Sequence, residues 1–174
     1  MKNVIFILMF ISIVSCDNPV RQIEQEGSVP PANNWSAKQA NIKIHDSLLI
    51  KGSTYLPVYS EIYQRNKDFT FNLTATVSIR NISLKDTIYL YKADYYNTQG
   101  DLLHEYIDDP VFVKPMETIE IVVAENDLKG GTGANFVFDW SKRIDKLDPF
   151  FEAVMISTSG QQGISFTTQG IRKK

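Results

Sequence analysis

The sequence contains few residues whose types and spacing suit catalysis or metal binding. His104-Glu105-Tyr106-Ile107-Asp108 begins like a zinc-protease motif, but the fifth residue is Asp and no helix pattern surrounds it. Neither this histidine nor His45 lies in the signature of a serine nucleophile site. Loop acids offer oxygen ligands to calcium without the spacing of an EF-hand: Asp101, Asp108, Asp109 and Asp127. We therefore predict no metal site and no cofactor, and we assign no catalytic residue.

Three segments carry groups suited to contact a ligand. Gly130-Gly131-Thr132-Gly133 has the glycines of an anion-binding nest, but no helix pattern follows it, which favours a strand connection. Gln161 and Gln162 lie in a glycine-bounded turn, and their amides suit a sugar or a peptide. The third segment carries four tyrosines: Tyr89, Tyr91, Tyr95 and Tyr96. Strand alternation cannot bury all four of them on one face. The candidate ligand contacts are Gln161, Gln162, Tyr95 and Tyr96.

Cys16 is the only cysteine, and it closes an apolar N-terminal stretch. Lys2 precedes Val4 to Val14, which are apolar except for one serine, as in the core of a secretory signal peptide. As a helix this stretch would span roughly 16 Å, too short for a hydrocarbon core about 30 Å thick. Ile13-Val14-Ser15-Cys16 resembles the bacterial lipobox, whose cysteine thiol takes a diacylglyceryl group.

The lipobox resemblance implies that cleavage between Ser15 and Cys16 removes residues 1–15 as a lipoprotein signal peptide. Cys16 would then be the lipidated N-terminus, and its acyl chains would hold the protein on a membrane. The expected location is the bacterial cell envelope, on a periplasmic or outer-membrane face. The alternative is an ordinary signal peptide with a chance cysteine, but a disulfide role has no second cysteine to complete it.

Length and charge fit one secreted globular domain. The chain has 174 residues, of which 43% are hydrophobic and 22% charged. Loss of Lys2 with the signal leaves 17 basic and 20 acidic residues, a net charge near −3. The only basic cluster, Arg172 to Lys174, is at the extreme C-terminus. We therefore expect no nucleic-acid partner, because phosphate binding needs clustered Lys and Arg.

Residues 16–41 form the predicted tether, which is polar, contains prolines and has no hydrophobic period. About 25 flexible residues reach roughly 25–30 Å, enough to lift a domain clear of lipid headgroups. Trp35 is the exception in this segment, and packing on the domain is favoured over a position at the membrane interface. Residues 42–174 form the predicted single domain.

The strand pattern of this domain is clearest where six apolar residues alternate with polar ones: Phe69, Phe71, Leu73, Ala75, Val77 and Ile79. Similar segments predict strands near 42–50, 54–63, 69–82, 86–97, 102–107, 118–125, 134–141, 150–158 and 163–168. The fold class is therefore all-β, and we expect a two-sheet immunoglobulin-like β-sandwich, with a β-barrel as the alternative. Trp140 is expected to fill the core between the sheets.

Four segments in order resemble the bacterial family of domain of unknown function 3124: Tyr55-Leu56-Pro57-Val58-Tyr59-Ser60, Phe71-Asn72-Leu73-Thr74-Ala75-Thr76, Gly130-Gly131-Thr132-Gly133-Ala134-Asn135-Phe136 and Thr158-Ser159-Gly160-Gln161-Gln162-Gly163-Ile164-Ser165-Phe166. The likeness covers about Tyr55 to Gly170. It implies a small exported or lipid-anchored bacterial protein without an assigned activity, and it transfers no catalytic residue.

These observations predict a membrane-anchored, non-catalytic module that binds a protein, peptide or glycan of the envelope. Loops and edges of a sandwich present contact surfaces well, and the tether gives reach. Two alternatives stay open at this point. One is an envelope hydrolase that uses loop carboxylates such as Asp108 and Asp109, and the other is a calcium-stabilised structural module.

Overall fold

The structure is a computed structural model that describes residues 35–40, 48–158 and 163–173. The predictions for Ser15, Cys16, Gln161 and Gln162 lie outside these described residues. Within the three ranges, the only helical elements are two 3₁₀ segments, Ser36–Lys38 and Leu128–Gly133. None of the helices described is long and apolar enough to cross a membrane.

Twelve strands make up the described domain. In chain order they are β1 (Leu49–Val58), β2 (Glu61–Tyr63), β3 (Thr70–Asn72), β4 (Thr74–Arg80), β5 (Ile88–Tyr96), β6 (Leu102–Glu105), β7 (Val111–Val113), β8 (Thr118–Val123), β9 (Ala134–Arg143), β10 (Phe150–Ser157), β11 (Ile164–Gln169) and β12 (Ile171–Arg172).

The larger strands form two antiparallel sheets packed face to face. The first sheet has the order β12-β1-β9-β5-β6, with β7 also paired to β5, and the second has the order β11-β10-β4-β8. Strands β2 and β3 form a separate hairpin ladder. Neither sheet closes into a barrel, so the predicted all-β sandwich is confirmed.

The core lies between the inner faces of the two sheets, where alternate residues of each strand point inward. Leu73, Ala75, Val77 and Ile79 are fully buried, as their period of two predicts. Phe136, Phe138 and Trp140 contribute the aromatic part of the core from β9. Trp140 is 1% exposed and donates its indole N–H to Thr54 Oγ1 at 2.9 Å, which confirms its predicted position in the core.

Several predicted strands differ from the structure in extent. The segment predicted as 69–82 breaks at Leu73, whose N–H donates to Ser60 O, so Phe69 belongs to a surface hairpin and is 58% exposed. The segment predicted as 54–63 is interrupted at Ser60, between β1 and β2. The hydrogen bond from Leu73 N–H to Ser60 O connects this interruption with the one at Leu73. Strand β7 was not predicted, because Pro110 and Pro115 flank only three extended residues.

The segment before β1 packs along the edge of the first sheet. Gln39 forms a bridge with Val111, and the N–H of Ala40 donates to Pro110 O at 2.7 Å. Trp35 is partly buried against the core, so its predicted packing on the domain is confirmed. The predicted tether, residues 16–41, therefore overlaps a stretch that belongs to the folded unit.

Candidate functional site

A β-bulge in the middle of β5 controls which tyrosines reach the surface. The register against β9 shifts between Leu90 and Lys92, and the extra residue is Tyr91. Before the bulge Leu90 points inward, and after it Ala93 and Tyr95 point inward. As a result Tyr91 and Lys92 both face outward, and so does Tyr96.

The outer face of the first sheet gathers these residues with the outward side chains of β1 and β9. We call this set the tyrosine face, and its members are Lys51, Ser53, Tyr55, Tyr91, Lys92, Tyr96, Asn135, Val137, Asp139 and Lys173. Two open depressions, of about 510 Å³ and about 520 Å³, adjoin one another across it. Both are lined by Ser53, Asp139 and Lys173, so together they form one shallow groove.

Hydrogen bonds and ion pairs hold the aromatic groups of this face in place. Tyr96 donates its hydroxyl to Asp94 Oδ2 at 3.0 Å, and Lys92 Nζ lies 2.6 Å from the same oxygen. Tyr91 and Ser141 share a hydroxyl contact of 2.8 Å, while Lys51 Nζ lies 5.5 Å from the centre of the Tyr91 ring. These contacts restrain the rings of Tyr91 and Tyr96, and restrained side chains have little entropy left to lose at a contact surface.

Charge on the tyrosine face is set by the same contacts. The hydrogen bond to Asp94 raises the pKa of Lys92, against an opposing effect of burial. Burial raises the pKa of Tyr96, and the hydrogen bond to Asp94 raises it further. Both groups therefore keep their protons at neutral pH. Lys51 adds positive charge at one end of the groove, and Lys173 adds it where the two depressions meet, beside the acid Asp139.

Tyr95, one of the four candidate contacts, is a core residue. It is 2% exposed, stacks on Phe136 at 4.8 Å between ring centres, and shares a 2.8 Å hydrogen bond with Ser60 Oγ. Burial raises the pKa of Tyr95, in spite of an opposing effect of the Ser60 hydrogen bond. Its side chain therefore offers no surface to a ligand, because the bulge at Tyr91 turns it inward.

The glycine-rich segment closes over this buried pair. A Cβ on Gly130 would collide with Tyr95 Oη and Ser60 Oγ, so the close approach requires glycine. Thr98 Oγ1 donates to Gly130 O at 2.9 Å and accepts from Gly133 N at 2.9 Å. The segment connects β8 to β9, as the strand-connection interpretation predicts, and the Thr98 hydroxyl links Gly130 to Gly133 within it.

Comparison with models of known protein families identifies the family of this chain. The family model described as "Protein of unknown function (DUF3124)" matches residues 51–172, which include the glycine-rich segment and all of the tyrosine face except Lys173. The chain belongs to the DUF3124 family. The predicted resemblance is confirmed. Comparison with proteins of curated function found no significant match.

A search of solved structures gives one similarity for this DUF3124 protein. The crystal structure of Thermotoga maritima 1070 has a TM-score of 0.41 and 10% sequence identity. The similarity covers 69% of this chain and 94% of that chain.

The loop acids of this DUF3124 protein lie apart from the tyrosine face. Asp108 and Asp109 line a depression of about 330 Å³ together with Trp35 and Tyr106. Gln39 Nε2 donates to Asp109 Oδ2 at 3.0 Å. His104 packs edge-on against Tyr106 with 4.3 Å between ring centres. In the described part of the chain, no group of three His, Cys, Asp or Glu side chains is arranged to hold a metal ion.

Asp101 and Asp127 have local roles in loops. Asp101 accepts from Asn97 Nδ2 at 3.1 Å, and Asp127 accepts from Lys129 N at 3.3 Å. Gln161 and Gln162 lie outside the described residues, but the strands that precede and follow them pair from Ser157 and Ile164 onward. The two glutamines therefore connect adjacent strands β10 and β11 of the second sheet.

Most residues of the tyrosine face are not predicted by the sequence. Alternation along β9 already indicates that Asn135 and Asp139 face away from Phe136 and Phe138. Nothing local indicates that β9 lies between β1 and β5, because these strands are far apart in the chain. The contact of Lys51 with the Tyr91 ring depends on this strand order, β1-β9-β5.

Proposed function

We propose that this DUF3124 protein is a lipid-anchored, non-catalytic binding module of the bacterial envelope, and that the tyrosine face is its binding site. The observation that supports it best is the shallow groove lined by Tyr55, Tyr91 and Tyr96. Tyrosines combine a large apolar surface with a hydroxyl, and they are enriched at contact surfaces. The groove is open along the sheet, so it suits an extended chain better than a compact small molecule.

The charges of the groove favour an acidic ligand. The face carries Lys51, Lys92 and Lys173, and Asp139 is its only acid. Asp94, beneath Lys92, is 4% exposed and already paired, so a ligand does not reach it. Three lysines against Asp139 and the buried Asp94 leave a local excess of one positive charge, whereas the whole chain has a net charge of −2. The ligand we propose is an extended peptide or glycan strand that bears carboxylates.

The first test measures binding of the lipidated protein to two carboxylate-bearing probes, a glutamate-rich peptide and an oligogalacturonate. A neutral glutamine-rich peptide and a neutral oligosaccharide serve as reference probes. Tyr91→Ala and Tyr96→Ala should each weaken binding about tenfold, because aromatic anchors at the centre of an interface carry most of the binding energy. Which acidic probe binds identifies the ligand class.

Tyr63→Ala is the matched control, since this tyrosine is 60% exposed on β2 and lies outside the groove. It should leave binding unchanged. Equal losses for Tyr63→Ala and Tyr96→Ala, or equal affinity for acidic and neutral probes, would contradict the proposed site and ligand charge.

The anchor is tested separately. Cys16→Ser should abolish metabolic labelling by a palmitate analogue, because only the thiol forms the thioether. Labelling that survives the substitution would disprove lipidation at this residue, and it would leave the binding measurements above unaffected.

A further inference from the structure

Exposed apolar side chains cluster at one end of the sandwich. Of the fourteen large hydrophobic residues that are exposed in the described chain, seven lie at the end where β1 begins and β9 ends: Leu48, Ile50, Ile82, Leu84, Met116, Ile144 and Leu147. The most prominent are Leu84 at 77%, Met116 at 63% and Leu147 at 61% exposure. Scattered exposed apolar residues are normal, but a cluster of this kind marks a contact surface. We call it the apolar end.

Three loops form the apolar end, and contacts between them fix their tips together. The N–H of Met116 donates to Ser83 O at 3.1 Å, which joins the loop after β7 to the loop after β4. Lys146 Nζ lies 3.5 Å from Asp86 Oδ2, which joins the loop after β9 to the loop after β4. The N–H of Ile144 donates to Leu48 O at 2.9 Å.

Met116 lies in the turn that connects β7 to β8. The N–H of Glu117 donates to Lys114 O at 3.1 Å, so Lys114 to Glu117 form a β-turn with Pro115 at its second position. The φ of 61° at Met116, the third residue, is the value that a type II turn requires there. The turn leaves the Met116 side chain 63% exposed.

We propose that the apolar end inserts into the interfacial region of the lipid bilayer to which the protein is anchored, and so sets the orientation of the domain. The proposal rests on the anchoring part of the proposed function. Most of these apolar side chains stand on loops whose exposed charges are basic except for Asp145: Lys85, Lys114, Arg143 and Lys146. Such tips suit a fluid interface, where apolar groups enter the acyl boundary and long basic side chains reach the headgroups.

The N-terminal segment joins the domain beside the apolar end. This position favours a bilayer over other partners for that surface. Eighteen residues separate Cys16 from Trp35 in the sequence. The segment that follows contacts the apolar end directly, because Lys38 pairs with Glu117 beside Met116. A chain of that length reaches about 25 Å, so an anchored Cys16 keeps the loop tips within reach of the membrane.

Oxidation of Met116 tests the proposal in the lipidated protein reconstituted into vesicles of zwitterionic and anionic phospholipid. The reagent is chloramine-T, a charged oxidant that stays in water and converts exposed methionine to its sulfoxide. Met116 should be oxidised about tenfold more slowly on vesicles than after a protease has cut the segment between Cys16 and Trp35. Met155 is 0% exposed and gives an internal reference that stays unoxidised in both states.

Two exposed leucines supply the matched variants. Leu84→Asp, at the apolar end, should abolish the protection of Met116, because a carboxylate does not enter the acyl boundary. Leu128→Asp, at the opposite end and 46% exposed, should leave it intact. Both side chains lie outside the core, so both variants should fold.

Equal oxidation rates of Met116 on vesicles and after release would overturn the proposal. Protection that rises with protein density, or that persists in the released domain, would assign the apolar end to contact between copies instead. A failure of lipidation is distinguishable, because the chain would not remain on the vesicles. A histidine tag placed before Asp17 then holds it on nickel-bearing lipids, and the same rates decide the question.

Discussion

Compared with Gly133→Ala in the same glycine-rich segment, Gly130→Ala should destabilise the fold much more. Its Cβ would collide with Tyr95 Oη and Ser60 Oγ, and would lie 2.9 Å from Ala134 Cβ. Tyr95 cannot move aside easily, because it is buried and stacked on Phe136. The methyl group must therefore displace the Ser60–Tyr95 hydrogen bond or shift the loop.

Two contributions set the size of the effect. Overpacking of a close-packed site costs about 1–3 kcal/mol. Separation of Ser60 from Tyr95 leaves two buried polar groups without their partner, which costs a further 1–3 kcal/mol or so. We expect a loss of about 2–6 kcal/mol in the free energy of unfolding. In urea, with an m-value near 2 kcal/mol per molar, the unfolding midpoint should fall by about 1–3 M.

Gly133→Ala is the control within the same segment. Its Cβ would meet nothing closer than Thr98 Cγ2 at 3.4 Å, an ordinary contact, so the midpoint should change little. Tyr95→Phe, which removes the colliding hydroxyl, should cost less in the Gly130→Ala background than alone, with a coupling of about 1 kcal/mol. Equal midpoints for the two alanine variants, or strictly additive costs, would refute the steric explanation.

Two further predictions concern the end of the sandwich that bears the exposed apolar residues. Asn81→Ala should cost about 2–3 kcal/mol, because buried Asn81 donates to Asp86 O and Val113 O and accepts from Ser83 N. Asn97→Ala, in an exposed loop, is the control for urea unfolding, and an equal loss would contradict the argument. Burial acts to raise the pKa of Asp148, but hydrogen bonds from Lys142 and Arg172 outweigh it and hold the pKa below its ordinary value. A lowered carboxyl pKa adds stability above the unfolded value and loses it as the pH falls through the folded value. The free energy of unfolding should therefore drop below about pH 4, less steeply in Asp148→Asn, and parallel curves would count against the pairing.

The sequence predicts the layers of this fold better than the face that carries the site. Alternation identifies the buried side of β4 and the inward aromatics of β9, because both follow a period of two without interruption. The same rule fails in β5, where it puts Tyr91 and Tyr95 on one side. The bulge at Tyr91 reverses that result, and it depends on pairing with β9 about 45 residues further along the chain.

The glycine-rich segment shows a second limit of the same kind. Its glycines suggest either an anion nest or a turn, and local sequence does not separate the two interpretations. The deciding residue is Thr98, which lies in the β5–β6 hairpin and fills the segment with its hydroxyl. A contact at a separation of 32 residues leaves no trace in the spacing of glycines, so only the fold reveals it.

The proposed binding groove and the proposed membrane contact of the apolar end together define how the domain stands on the bilayer. The groove of the tyrosine face runs along the strands, from Lys51 near the start of β1 toward Tyr96 and Gly100 at the far end of β5. At about 3.3 Å per residue, the step from Lys51 to Tyr55 alone covers roughly 13 Å along that axis. With the apolar end in the bilayer, the groove stands upright, and Lys51 lies nearest the headgroups. An acidic strand bound there would extend away from the membrane, so its affinity should be unaffected when the protein is attached to vesicles. A ligand that instead loses affinity on vesicle attachment would show that one of the two surfaces is wrongly placed.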